Sequence, residues 1–180
     1  MYNPNSNQPG RELEYKALRD EILKRIELRQ QLMSTTLLFA GALLGVAANN
    51  LTRFASVAFI YPPIAFSLAA LWAQNDIRSR ELGMYIHRLE NNHAIPGLGW
   101  ETHYRANLRS PRLLRLKLSV LSPAATFIVS EIIAVIIALS SWASFSIFLN
   151  IALQISNIIW ILGTIALVWK VARFSSQARL

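Results

Sequence analysis

No cysteine occurs anywhere in the chain. Disulfides, thiol chemistry and sulfur-ligated zinc are therefore excluded. Acids are scarce: ten Asp or Glu stand against eighteen Lys or Arg, for a formal net charge of +8. No phosphate loop, nucleophile elbow or paired-carboxylate motif occurs. His93, Glu101 and His103 lack a metal-ligand spacing. The sequence therefore implies no enzyme, cofactor or metal. The first thirty residues carry acids and bases without an apolar core, so no cleavable signal peptide is expected.

Charge is also missing from long blocks, and this absence is the most informative. Residues 118–139 hold one charged side chain, Glu131. Twenty-two residues at about 1.5 Å each are enough to cross a bilayer core of roughly 30 Å. Residues 33–48, 54–72 and 145–169 read the same way. The expected fold class is all-α, an integral membrane protein with four transmembrane helices and a cytosolic helical stalk.

Residues 1–10 read as a disordered tail. Residues 11–92 form one unit, made of a cytosolic helix, the first transmembrane pair and a second cytosolic helix. In the first helix, Tyr15, Leu18, Ile22, Ile26 and Met33 repeat at helical spacing. Glu12 and Lys16, Asp20 and Lys24, and Glu21 and Arg25 are acid-first pairs four apart. Nothing breaks the helix before the first span, so one rod of roughly 55–60 Å is expected. Arg29 lies near the membrane, where it can snorkel or meet a headgroup. Gly41, Gly45 and Ala48 form a small-residue ridge for helix packing, in an oligomer or within the chain. Pro62 and Pro63 predict a kink within the second span. Beyond that span, Leu82, Tyr85, Ile86 and Leu89 should face the first helix, with Asp76, Arg80 and His87 on the opposite face.

Residues 93–117 form a loop and a basic segment. A short surface helix is expected over 100–107. Arg109, Arg112, Arg115 and Lys117 suit anionic lipid headgroups, and the neighbouring span makes nucleic acid the weaker partner. Residues 118–172 form the second transmembrane pair, joined by a short hairpin, and residues 173–180 form a tail. The N-terminal segment holds six Lys or Arg, the middle segment eight and the tail three, while the two hairpins hold only Arg53. The positive-inside rule then puts both termini in the cytoplasm of a bacterial inner membrane.

Asn150, Gln154, Asn157 and Thr164 fall on one face of the last span. With Glu131 they make a candidate polar stripe, either an interhelical lock or the lining of a pore. Counting depth across the hairpin pairs Glu131 with Asn150 or Gln154. The stripe beyond that pair is left for an oligomeric interface or a wet lumen.

Arg80 and His87 are similar in spacing to the Arg–His motif of HEPN ribonucleases, although Glu81 stands where that family prefers Asn, Asp or His. The stretches Glu14-Tyr15-Lys16-Ala17-Leu18-Arg19, Arg25-Ile26-Glu27-Leu28-Arg29-Gln30-Gln31, Ile60-Tyr61-Pro62-Pro63, Trp72-Ala73-Gln74-Asn75-Asp76 and Gly99-Trp100-Glu101 resemble a recurrent group of uncharacterised bacterial membrane proteins. The layout is loosely similar to the SLATT-like transmembrane effectors of bacterial conflict (anti-phage) systems. That resemblance implies an oligomeric, pore-like or membrane-perturbing effector whose stalk senses or docks a cytosolic protein. The alternative is a membrane-anchored adaptor or scaffold for a cytosolic partner, and a distant third, implied by the Arg80 and His87 resemblance, is a membrane-tethered HEPN-like ribonuclease.

Overall fold

The computed structural model describes residues 8–51, 54–92, 99–103, 113–140 and 146–177. Among them the chain is all-helical: α1 (Gln8–Asn49), a 3-10 helix (Ala55–Ile60), α2 (Tyr61–Asn91), α3 (Leu113–Leu139) and α4 (Ile147–Gln177). Four helices are long and apolar enough to cross a membrane. Arg53, Arg109 and Arg112 lie outside the described residues, and the side chains of Arg115 and Lys117 are likewise not described.

The rod is present. α1 runs unbroken for 42 residues, about 63 Å. Its apolar half packs into the bundle and its charged half projects beyond, alongside the corresponding half of α2.

The expected proline kink is corrected. Pro62 and Pro63 sit in the first turn of α2 and start that helix rather than bend it. A first-turn residue has no intrahelical acceptor for its N–H, so proline loses nothing there, and its fixed φ suits helix entry. The change of helix type falls just before them, where the 3-10 helix gives way to α2 at Tyr61.

Two cores hold the helices together. One joins Leu44 and Ala47 of α1 to Ala58, Tyr61 and Ala65, and to Ala134 and Ala138 of α3. Its alanines allow close backbone approach, which drives packing where water is absent. The other joins Ala69, Trp72 and Ala73 of α2 to Val120 and Phe127 of α3 and Val171 of α4. The Trp72 and Phe127 rings stand 6.3 Å apart, tilted.

α4 lies close to α2. A Cβ added at Gly163 would come within 2.8 Å of the Phe66 ring, so the glycine is what permits the approach. Phe66 also packs against Trp160 at 5.2 Å. In contrast, a Cβ on Gly41 or Gly45 would meet nothing within 4 Å. That ridge therefore packs on no neighbour among the described residues.

The side-by-side pairing of the two charged helical halves agrees with the sequence reading, but its seam is rotated. Buried residues of α2 include Trp72, Asp76, Gly83, Ile86 and Glu90, whereas Tyr85 is exposed. Asp76, expected on the outer polar face, is instead only 1% exposed. The reason is electrostatic: two arginines close over it.

Candidate functional site

Two polar centres are built into the molecule, one inside the apolar bundle and one in the paired extensions. The first forms where α2, α3 and α4 meet. The buried positions of α3 recur at helical spacing through Ala124, Phe127, Ser130, Glu131, Ala134 and Ala138. This periodicity turns Ser130 and Glu131 inward. Glu131 is fully buried. The hydroxyl of Thr164 donates to its Oε1 at 2.7 Å, while Oε2 has no partner among the described residues. One residue before it, Ser130 Oγ accepts from the Tyr61 hydroxyl at 2.7 Å. Ser130 in turn donates to the carbonyls of Thr126 and Phe127. Tyr61 reaches this level because the 3-10 helix ends there.

The polar stripe of α4 is inside the protomer. Asn150, Asn157 and Thr164 are each buried, and Val171 continues the seven-residue repeat. Three of the stripe's polar residues are thus enclosed by their own chain and do not form an oligomeric surface. Gln154 lies off this line and is half-buried. Its Nε2, like Nδ2 of Asn157, is buried without a hydrogen-bond partner among the described residues.

The expected pairing of Glu131 with Asn150 or Gln154 is corrected to Thr164. Glu131 lies eight residues before the end of α3, and Thr164 seventeen after the start of α4. At about 1.5 Å per residue, α4 is displaced along α3 by about 13 Å relative to a level hairpin. Gly163 packs closely on Phe66 at this register, a contact that depth counting across the hairpin could not see.

The second centre lies beyond the apolar windows. Asp76 accepts from Arg80 Nε at 2.6 Å and forms an ion pair with Arg29. Arg25 donates to Asn75 at 3.3 Å and pairs with Glu21. Arg29 is therefore committed to Asp76 rather than free to snorkel. Farther out, Glu90 Oε1 accepts from the backbone N–H of Glu101 at 3.1 Å, and Oε2 from that of Thr102 at 2.7 Å. Glu90 also accepts from the Thr102 hydroxyl at 2.9 Å and the Tyr15 hydroxyl at 3.4 Å. Glu90 is eighteen residues past Trp72, outside the apolar window. Burial raises its pKa, but these four donors outweigh that effect and hold the carboxyl below its ordinary value. The Arg19 guanidinium stacks 4.4 Å over the Trp100 ring. Together these contacts clasp residues 99–103 onto the tips of α1 and α2.

Arg80 and His87 do not converge on a shared site. Arg80 serves Asp76, while His87 lies 3.3 Å from Thr102 Oγ1 and 3.2 Å from Asn91 Nδ2. Among the described residues no His, Cys, Asp and Glu cluster could hold a metal.

The sequence reading missed Tyr61, Ser130, Glu90 and Thr102. A signal existed for Ser130, a hydroxyl next to the one acid of residues 118–139. None existed for Glu90, two of whose four donors are backbone amides. No protein-family model, curated protein or solved structure matches this chain.

Proposed function

We propose that the chain is a non-enzymatic integral protein of a bacterial inner membrane, with both termini cytoplasmic. In this reading it acts as an oligomeric, pore-like or membrane-perturbing effector. The carrying observation is the buried polar seam of Glu131, Asn150, Asn157 and Thr164 inside an apolar four-helix bundle. Polar groups at that depth are costly in lipid and characteristically mark ion or water paths. The unoccupied Gly41 and Gly45 face supports self-association, since small residues let helices of different copies approach closely. The paired extensions form the cytosolic stalk, where Leu13, Leu23, Tyr85 and Trp100 are exposed to a docking protein. Anionic lipid at the basic segment completes the set of partners.

The test is full-length protein in sealed vesicles loaded with potassium and a small dye. Release of either that scales with protein is the expected result. Vesicles that stay tight at every protein density would remove the effector reading. Those exposed apolar side chains on the stalk would then favour the adaptor, with the four spans as its anchor.

A further inference from the structure

We propose that Glu131 is a proton-binding site inside the bundle: it holds a proton on Oε2 at neutral pH and exchanges it through the outer half of the α4 seam. The inference rests on the membrane placement proposed above, but not on ion conduction.

The argument starts from what an ionised carboxylate requires. Two oxygens offer about four lone-pair sites, and burial without donors or a countercharge is strongly unfavourable. Glu131 is fully buried, with one donor on Oε1 and none on Oε2 among the described residues. The elements packed against α3 are α1, the 3-10 helix, α2 and α4. Residues 33–48 of α1, the 3-10 helix and residues 147–169 of α4 contain no titratable side chain. Residues 61–72 of α2 contain only Tyr61, whose hydroxyl is given to Ser130. No described cation faces the acid. A metal cation would need about six oxygen ligands, and the structure supplies Glu131 with a single hydroxyl. A proton needs only one oxygen, and Oε2 is open to it.

The route follows from the seam. Asn157 and Gln154 lie about 10 and 15 Å from Thr164 along α4, toward the hairpin. Their buried amide nitrogens have no partner among the described residues. Such atoms in an apolar setting need a polar visitor, so this half of the seam is the way in from water. On the other side, the core of Trp72, Phe127 and Val171 closes the path. The step is simple proton binding. An O–H bond forms on Oε2 as hydronium returns to water, and the reverse step releases it. Nothing is oxidised or reduced.

The test is infrared difference spectroscopy of the full-length protein in vesicles, titrated with pH in H2O and D2O. The expected result is the carbonyl band of a neutral carboxylic acid at neutral pH, downshifted in D2O and absent in Glu131→Gln. Thr164→Val should move that band by removing the hydroxyl from Oε1. Asn157→Leu should slow its H/D exchange at least about tenfold. A folded wild-type protein without a neutral acid band at pH 7, or a band that survives Glu131→Gln, overturns the proposal. Potassium release measured on the same vesicles is separate: loss of the band with release intact would sink the proton site and leave the pore-like reading standing.

Discussion

Asp76 and Glu131 are equally hidden from solvent and are treated in opposite ways. Asp76 sits between two guanidiniums, Arg29 and Arg80, each side chain about a quarter exposed. Glu131 receives one neutral hydroxyl. The difference follows position. Just beyond the apolar windows, an arginine can neutralise a carboxylate while part of its head stays wet. Inside the bundle a guanidinium would need its own desolvation offset, and hydroxyls borne by the helices are the affordable donors. One centre ties the extensions together by charge, and the other joins two apolar helices through a neutral hydroxyl.

The strongest test of this contrast removes the charge from each acid while keeping its shape. Asp76→Asn should cost about 2–4 kcal/mol, the lower part of the range for a broken buried pair because the arginines keep some water. Glu131→Gln should change stability by less than about 1 kcal/mol, since the amide still accepts from Thr164. Thermal unfolding in detergent measures both. Similar losses for the two variants would mean that Glu131 has an ionic partner after all.

The next test asks whether close packing, rather than the polar pair, sets the register of α4. Gly163→Val should cost about 1–3 kcal/mol through its collision with Phe66. Phe66→Leu should recover part of that loss in the double variant. A neutral Gly163→Val would show that α4 can slide, and the Glu131 to Thr164 pairing would lose its geometric cause.

The smallest expected effect concerns Glu90, a third buried acid, held by backbone amides and hydroxyls rather than by cations. Its folded pKa is depressed, so its contribution is present above the ordinary carboxylate range and is lost as pH falls through the folded value. The protection of the Glu101 and Thr102 amides, their exchange measured against the intrinsic amide rate at each pH, should therefore fall on acidification before the bundle loosens. In Glu90→Gln that protection should be lower at neutral pH and nearly independent of pH. Exchange that is equally slow in both proteins would remove the clasp.

The helices were legible because hydropathy and charge separate cleanly along this chain. The seam of α4 was legible too, since Asn150, Asn157 and Thr164 share a helical face whatever lies opposite. Register was not. It depends on how far one helix slides along another, and the close contact made there, Gly163 on Phe66, joins residues 97 apart. Asp76 was misplaced for a related reason. A lone acid on a charged helix is normally a surface residue, and only the pairing of α1 with α2 brings Arg29 over it. Pro62 and Pro63 read as a kink because hydropathy runs through them unchanged, while the switch from 3-10 to α geometry leaves no mark in composition.

Thirty-three residues of chain separate Glu131 from the hydroxyl that serves it. At about 5–20 residues per second, a ribosome needs roughly 2–7 s to supply them. Ser130 has no such wait, because Tyr61 was synthesised 69 residues earlier. In the membrane reading, the third helix thus leaves the ribosome with one polar neighbour already made and the other still untranslated. During that interval its acid must stay neutral, be sheltered by the insertion machinery, or draw the helix back toward water. Synonymous codons that slow translation between residues 131 and 164 would lengthen the exposure and lower the yield of inserted protein without changing a single side chain.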